Sequence, residues 1–280
     1  MQQDAKVSVQ AWGADGILLE HYAYTAGKVE PLPKHAHAEY QLGLSYDCQG
    51  EYTYRGARYA IPKGSLSIIH SGEMHAPSDR TSLPHPAHFV MAHITPSCFH
   101  TIAAAIAAKP TSLPFFPVHI TDPQLNCLFL DLKAVIRKRA TQLEQDTALE
   151  NFLTCLIGRH ATNQPALQPV PSAHTAIKRA RDYLHAHYAE DISLADLAAI
   201  AHLSRFHFCR LFSREVGVSP STYQTQLRIA QAKKLLAQGL SILTVATVTG
   251  FYDQSHFGRT FKRQVGTTPS NYVSQTAIFS

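Results

Sequence analysis

The chain has 280 residues, 45% of them hydrophobic and 16% charged, which is typical of a globular protein and long enough for two domains. Its first ten residues, MQQDAKVSVQ, are polar, and no apolar run is long enough to cross a bilayer, so we expect a cytoplasmic protein without a membrane partner. The five cysteines are widely spread without a C-x-x-C pair, which argues against a disulfide framework or a zinc finger.

The first third of the chain is predicted to be β structure. From residue 7 to about residue 95, short segments of alternating apolar and polar residues are separated by turn residues such as Gly50, Gly56 and Gly64. This pattern predicts an all-β barrel or sandwich.

Within this β region, the segment KHAHAEYQLGL at residues 34–44 places His35, His37, Glu39 and Gln41 at every second position. Alternate side chains of a strand share one face, so we expect these four groups to point the same way. Imidazole, carboxylate and amide groups in this arrangement indicate either a metal site or a pocket for a small molecule.

From Asp122 the apolar period changes to that of helices. Leu125, Leu128, Phe129 and Leu132 begin one amphipathic stretch, and a second stretch runs over residues 149–157. We expect the apolar stripes of these two helices to cover the barrel or the linker end, with the pairing of two subunits as a further role. The proline-rich, uncharged ATNQPALQPVPSA at 161–173 then predicts a linker. The expected domains are therefore 1–160 and 174–280.

The basic charge lies in the C-terminal third. Residues 174–280 carry 12 Lys and Arg against 6 Asp and Glu, while residues 1–173 carry 13 against 14. The same region repeats itself, because FCRLFSREVGVSPSTY from Phe208 and FGRTFKRQVGTTPSNY from Phe257 match at an offset of 49 residues. A basic region with two copies of one unit is typical of a polyanion-binding domain.

Each copy is predicted to be a helix-turn-helix unit. In the first, Ser193 and Ser204 are predicted N-caps and Gly217 ends the second helix; in the second, Ser241 and Asp253 take the cap positions, and Gly266 ends the helix. The helix LRIAQAKKLLAQG joins the two copies. Two such units can contact successive major grooves of DNA about 34 Å apart. The basic residues expected on the solvent side of the two second helices are Arg205, Arg210, Arg214, Arg259, Lys262 and Arg263.

The segment from about His174 to Tyr272 resembles the DNA-binding domain of the AraC/XylS family of transcription regulators. The resemblance is carried by SLADLAAIAHLSRFHFCRLFSREVGVSPSTY, LRIAQAKKLL and GFYDQSHFGRTFKRQVGTTPSNY. It implies base-facing or backbone-facing positions for Phe206, His207, Cys209 and Arg210 and for Gln254, Ser255, His256 and Arg259. The chain lacks the acidic residue that the family usually has near Thr244, so we expect a cap weaker by about 1 kcal/mol.

The histidine segment resembles a second family. H-x-H-x3-Q at 35–41 and G-x5-H-x-G-x2-H at 64–75 are similar to the two cupin motifs, with His70 where proline is usual. The resemblance implies that His35, His37, Gln41 and His75 converge inside the barrel, where cupins can hold a divalent metal. AraC-type regulators commonly carry such a barrel as a sensor for a small effector.

The sequence thus predicts a two-domain α+β protein with a cupin-like barrel followed by helices and a C-terminal all-α double helix-turn-helix domain. The expected function is a DNA-binding transcription regulator whose barrel senses a small molecule, without catalytic residues. The alternative is a cupin metalloenzyme, a dioxygenase or isomerase, with a fused helical domain. The expected partners are double-stranded DNA and an effector; RNA polymerase and a second copy of the chain are further candidates. The one cofactor candidate is a divalent metal in the barrel.

Overall fold

The computed structural model describes residues 4–30, 32–77, 81–106, 113–163 and 174–276. The chain divides into two compact units. One comprises Met1–Ile136 with Asn151–Gln168, and the other comprises Arg137–Glu150 with Pro169–Ser280. The first unit is rich in strands and the second is helical, which confirms the predicted fold class.

The first unit is built from short antiparallel strands, as the alternating pattern predicts. The described strands are β1 Val7–Ala14, β2 Ile17–Tyr24, β3 Gly27–Lys28, β4 Tyr40–Ser45, β5 Gly50–Tyr54, β6 Ala57–Ile61, β7 Leu66–Ile69, β8 His75–Pro77, β9 Ser82–Leu83, β10 Ala87–Ile94 and β11 His119–Ile120. They form a six-stranded sheet in the order β1-β2-β10-β4-β7-β11, a three-stranded sheet β6-β5-β8 and the pair β3-β9. β4, β7 and β10 supply buried core residues such as Leu42, Ile68 and Val90.

Three helices follow or interrupt the strands of this region: α1 Pro96–Ile106, α2 Pro123–Arg137 and α3 Gln142–His160. The periodicity predicted α2 and α3, although α3 begins seven residues before the predicted apolar stretch. The sequence did not predict α1. It buries Phe99, Ile102 and Ile106 on one face, but a single short apolar run does not by itself distinguish a helix from a strand.

The predicted strand over KHAHAEYQLGL is only partly correct. β4 begins at Tyr40, so Gln41 lies in a strand, whereas His35, His37 and Glu39 precede it in irregular backbone. His35 forms an isolated antiparallel bridge with His75, in which each backbone N–H donates to the other residue's carbonyl at 2.9 Å. The strand-face argument for His35, His37 and Glu39 is therefore wrong, because pairing with His75 orients the first of these residues.

The second unit contains the repeated helices. They are α4 His174–Ala186, α5 Leu194–Ala201, α6 Arg205–Val216, α7 Pro220–Ala237, α8 Ile242–Val248, α9 Gln254–Val265 and α10 Pro269–Thr276. The pairs α5/α6 and α8/α9 are the two predicted helix-turn-helix units, and α7 joins them. Each helix-turn-helix unit has its own hydrophobic core: Phe208 and Phe212 lie in the core of the first, and Phe257 and Phe261 lie in the core of the second.

The predicted helix caps of the two units are present. Ser193 and Asp196 form a complete capping box at α5, and Ser204, Ser241 and Asp253 each accept a backbone N–H at the start of their helices. At α8 the N3 residue is Thr244, whose hydroxyl lies 2.7 Å from the Ser241 hydroxyl. Thr244 has no carboxylate to complete a capping box, and the expected weakening of this cap stays a prediction.

The predicted domain boundary differs from the observed units. α3 ends at His160, one residue before the predicted linker, and residues 164–173 of that linker lie outside the described residues. The first half of α3 belongs to the helical unit, where Leu143 joins the core that contains Phe208. The Gln142 N–H donates to Asp191 Oδ1 at 3.0 Å in the same unit. The apolar pattern identified the helix but not which core it joins.

Candidate effector pocket and DNA-binding surface

The β unit encloses a cavity of about 440 Å³, within the range of about 300–1,000 Å³ usual for small-molecule sites. Its walls come chiefly from β2, β4 and β10, whose inward side chains recur at every second residue. Tyr22 on β2 opposes Phe89 on β10, and Phe89 opposes Ser45 on β4, so the strand register places these residues on one face. Residues at alternate positions of these strands therefore line the cavity.

Gly43 keeps the floor of this cavity open. A Cβ atom at this position would lie 2.7 Å from Ser67 Oγ and 2.9 Å from Met91 Sδ, both below normal contact distance. A side chain at this point of β4 would have to displace the side chains of Ser67 and Met91.

Four imidazoles gather at the cavity. The ring centroids of His35 and His75 lie 4.4 Å apart, those of His37 and His75 lie 5.0 Å apart, and those of His37 and His93 lie 5.1 Å apart. Gln41 completes the group, because its side-chain amide lies 3.0 Å from His37 Nε2. The structure thus brings together all four residues that the cupin resemblance singled out.

Backbone carbonyls orient three of these rings. Nδ1 of His35 lies 2.8 Å from the Pro33 oxygen, Nδ1 of His37 lies 2.9 Å from the Glu39 oxygen, and Nδ1 of His75 lies 3.1 Å from the Glu73 oxygen. A carbonyl oxygen can only accept, so each of these Nδ1 atoms carries a proton. Burial lowers the pKa of His75, so its neutral ring presents Nε2 as an acceptor, whereas Nε2 of His37 lies 3.0 Å from the Gln41 amide oxygen. His75 is 0% exposed, and its Nε2 has no partner among the described residues.

This orientation is the one that metal-binding histidines adopt, so the fit of a metal has to be tested on the whole donor set. Within the described residues, no group of three or more His, Cys, Asp or Glu side chains is arranged to hold a metal ion. The Gln41 amide also takes up Nε2 of His37. The individual rings suit ligation, but their mutual arrangement does not form a coordination site.

Two members of this cluster, His93 and Glu20, were not predicted from the sequence. His93 on β10 pairs with Gln41 on β4, and its Nε2 lies 3.3 Å from Glu20 Oε2 on β2. Neither residue belongs to a motif. The register of the paired strands alone places both residues beside the imidazole cluster. The signal that could have found them is the alternation of Phe89, Met91 and His93, which predicts one inward face once β10 is placed beside β4.

His70, the departure from the cupin motif, is a core residue. Its Nε2 accepts the Phe116 N–H at 2.9 Å and its Nδ1 lies 2.8 Å from the Tyr54 hydroxyl. Burial lowers the pKa of His70 to about 4, with the nearby Arg55 acting in the same direction. The ring is therefore neutral near pH 7 and holds β7 to the segment around Phe116.

In the helical unit, most of the predicted DNA-contacting residues are accessible. The exposed ones are Arg210, Arg214, Gln254, Ser255, Arg259 and Lys262, and Arg263 is exposed as well. Arg205 and His207 are half-buried at the start of α6. Arg210 also lies over the Phe206 ring, with its guanidinium carbon 5.2 Å from the ring centroid.

Three of the predicted contacts need correction, because they are buried. Phe206 is 1%, Cys209 is 4% and His256 is 7% exposed, so these side chains are not available to DNA in this structure. Burial raises the pKa of the Cys209 thiol to about 12, with the carboxyl group of Glu150 on α3 acting in the same direction. The first half of α3 therefore lies beside the face of α6 that carries Cys209. Spacing within α6 alone does not reveal this neighbour.

Comparisons with known proteins agree with both halves of the fold. Residues 20–153 match the family described as the AraC-like ligand binding domain, and residues 197–275 match the family described as a helix-turn-helix domain. YbfI of Bacillus subtilis, an uncharacterized HTH-type transcriptional regulator, is 29% identical over 91% of this chain and 88% of its own length. The chain belongs to the AraC family.

Two further similarities each cover about a third of the chain. The HTH-type transcriptional regulator GbdR of Pseudomonas aeruginosa is 37% identical over 91 residues, which are 32% of this chain and 22% of GbdR. The crystal structure of an AraC-type DNA-binding domain-containing regulator from Chromobacterium violaceum is 30% identical, with a TM-score of 0.35. The match covers 37% of this chain and 94% of that one.

As an AraC-family member, the chain is a transcription regulator with a ligand-binding region ahead of a helix-turn-helix DNA-binding region. The AraC-like match spans the whole cavity lining, from Glu20 to His93, and the helix-turn-helix match includes both α6 and α9. Its relatives are named as regulators. None of the described helices is both long enough and apolar enough to cross a membrane.

Proposed function

We propose that this AraC-family regulator binds its effector in the β-unit cavity, with His35, His37, Gln41 and His75 among the contacts. The observation that carries the proposal is the unpartnered Nε2 of the fully buried His75, within the described residues, beside a cavity of about 440 Å³. A buried polar atom without a partner costs about 1–3 kcal/mol, and a ligand donor would offset that cost.

For DNA we propose α6 and α9 as the two recognition helices. Arginine can bond guanine O6 and N7 with two hydrogen bonds, which makes Arg210 and Arg259 the base-contacting candidates. Arg205, Arg214 and Lys262 are the candidates for phosphate contacts, and Gln254 and Ser255 lie at the exposed start of α9. The buried Phe206, Cys209 and His256 are left out of this set.

The proposed domains are a sensor over 1–160, a linker over 161–173 and a DNA-binding domain over 174–280, with one amendment. A DNA-binding fragment should begin near Arg137, because Leu143 belongs to its core.

We assign the barrel to binding rather than to catalysis. The 49-residue repeat supports this choice, because DNA recognition uses two recognition helices and cupin catalysis does not. RNA polymerase and a second copy of the chain stay as candidate partners.

The DNA assignment is tested with the full-length chain and an operator selected from random duplex sequence. Arg210→Ala and Arg259→Ala are each expected to weaken operator binding by about 1–3 kcal/mol in fluorescence anisotropy. Lys138→Ala, which removes an exposed charge outside α6 and α9, is the control and should change affinity little. Equal losses from all three variants would indicate a general charge effect and contradict the assignment.

The pocket assignment is tested with a reporter gene under that operator and a small-molecule screen for response. His75→Ala should abolish the response, whereas His119→Ala, at an exposed histidine on β11, should keep it. Dialysis against a chelator is expected to leave the response intact, because the described donors do not form a coordination site. A normal response in the His75 variant would place the effector elsewhere.

A further inference from the structure

The charge of the cavity lining indicates what kind of effector fits. Glu20, Glu30 and Glu51 line the cavity, and none of the described lining residues is lysine or arginine. Glu51 is paired with Arg58 outside the lining. Glu20 faces the imidazole cluster, where its carboxylate accepts the Tyr22 hydroxyl at 3.0 Å and lies 3.3 Å from His93 Nε2. Glu51 is thus balanced by Arg58, and Glu20 and Glu30 are the carboxylates for which the described lining offers no lysine or arginine.

The imidazole cluster also provides hydrogen-bond acceptors to the cavity, besides those of the carboxylates. The Nδ1 atom of His75 donates to the Glu73 carbonyl, so Nε2 of the neutral His75 ring can only accept, whereas Nε2 of His37 already lies 3.0 Å from Gln41 Oε1. Burial lowers the pKa of His75; the hydrogen bond to Glu73 opposes this, and the adjacent His35, His37 and His93 rings act in the same direction as burial. His75 is thus a neutral acceptor near pH 7, and its Nε2 has no partner among the described residues.

The aromatic residues of the lining favour positive charge as well. Tyr22, Tyr24 and Phe89 all line the cavity, and the Phe89 ring lies 5.6 Å from that of Tyr22 and 5.5 Å from that of Tyr24, nearly parallel to both. The face of an aromatic ring attracts cations, and the ring also buries apolar surface. One wall of the cavity therefore suits the body of an amphipathic cation.

We propose that the effector is a small organic amine with an apolar body, bound as its ammonium ion. Its N–H groups would donate to His75 Nε2 and to the Glu20 carboxylate, and its apolar part would pack on Tyr22, Tyr24 and Phe89. This inference rests on the proposed effector pocket. A carboxylate ligand would meet the Glu20 carboxylate and the acceptor Nε2 of His75, with no lysine or arginine of the described lining to pair with it.

The test uses the purified full-length chain in EDTA and chain-matched probes that differ in one group. These are 2-phenylethylamine, 2-phenylethanol and 3-phenylpropanoate, with their butyl and hexyl counterparts. Calorimetry and ligand-observed NMR should show that the amines bind about tenfold or more tightly than the alcohols, and that the carboxylates bind more weakly still. Glu20→Gln should remove about tenfold of amine affinity, while Asp131→Asn, at an exposed carboxylate on α2, should not.

Acidification separates the two charge classes. Burial lowers the pKa values of His75 and His93 below the ordinary value of 6.5, so these two rings take up protons as the pH falls below that value, and amine affinity should fall there. Carboxylates that bind as tightly as amines, or affinity that rises on acidification, would overturn the amine class and leave the pocket as the effector site. No saturable binding by any probe to the folded protein would overturn the amine class and the pocket together.

Discussion

At the scale of single residues, Glu150 provides a direct test of the packing of the helical unit. It is 4% exposed, and its Oε1 has no hydrogen-bond partner among the described residues. Burial raises its pKa to about 7; Arg205 opposes the rise and Asp146 adds to it. Because the folded pKa lies above the ordinary glutamate value of 4.5, the stability contributed by the protonated carboxyl is complete below about pH 4.5 and is lost as the pH rises through about 7.

Glu150→Gln keeps a neutral group at this position at every pH. We expect it to raise the free energy of unfolding of the helical unit by about 2–3 kcal/mol at about pH 8, and to change it little near pH 5. Urea denaturation followed by circular dichroism at several pH values measures this, with the exposed Asp182→Asn as the control. A pH dependence that the Gln variant shares with the parent would contradict the burial of a titrating Glu150.

Residue by residue, the sequence predicted side chains that belong to motifs and missed those that depend on a neighbouring element. The motifs identified His35, His37, Gln41 and His75, and the structure brings them together. His93 joins them only through the pairing of β10 with β4. In the same way, Cys209 lies on the face of α6 that was expected to contact DNA, but the first half of α3 lies beside that face. Residue spacing within one helix does not reveal such a neighbour.

At the scale of elements, Gly250 connects the two helix-turn-helix units. It has φ +79°, and a Cβ atom there would lie 2.1 Å from the Ala189 carbonyl oxygen, in the loop between α4 and α5. Arg228 on α7 holds the same loop through bonds of 2.7 Å to the Tyr188 oxygen and 2.9 Å to the Glu190 oxygen. The loop is therefore fixed against both the α8–α9 turn and the joining helix.

Gly250→Ala should destabilise the helical unit by about 3–5 kcal/mol, because left-handed strain of about 1–2 kcal/mol combines with a backbone clash. Gly239→Ala is a matched control, since Gly239 has φ +85° but a Cβ atom there would meet no described atom within 4 Å, so only the strain should appear. Thermal and urea unfolding of both variants provide the comparison. Equal losses of unfolding free energy in the two variants would mean that the contact of the added Cβ atom with the Ala189 backbone does not contribute to the destabilisation.

Most of the elements follow from local signals. Caps at Ser193, Ser204, Ser241 and Asp253 and end glycines at Gly217 and Gly266 marked four helices correctly. These signals act within a few residues and need no tertiary partner. The start of α3 also has a local signal, which was missed: the Thr141 N–H and hydroxyl each donate to Glu144 Oε2 at 3.0 Å, and the Glu144 N–H donates to Thr141 Oγ1 at 3.4 Å, as in a capping box. α1 was missed because one short apolar run does not distinguish a helix from a strand.

At the scale of the whole molecule, the ligand-binding and DNA-binding regions of this AraC-family regulator lie in separate units. The β unit has the cavity, the imidazole cluster and the acidic lining, whereas the helical unit has the repeated helices and the exposed arginines. Effector binding can change operator affinity only by as much as it distinguishes two states of the protein, typically about 1–3 kcal/mol. We therefore expect the effector to shift affinity modestly rather than to create or abolish it.

The central claim is that α6 and α9 of one chain contact two successive major grooves. Besides the shared Arg210 and Arg259, α9 exposes Gln254, Ser255 and Lys262, whereas the equivalent positions of α6 hold Arg205, Phe206 and Ser213, which are buried or half-buried. The two half-sites should therefore differ in sequence. Selection of bound duplexes from random DNA by the full-length protein should recover two unlike sequence blocks about 10 base pairs apart. The same selection with Arg259→Ala should relax only one block. A single block, or two blocks that relax together, would contradict the claim.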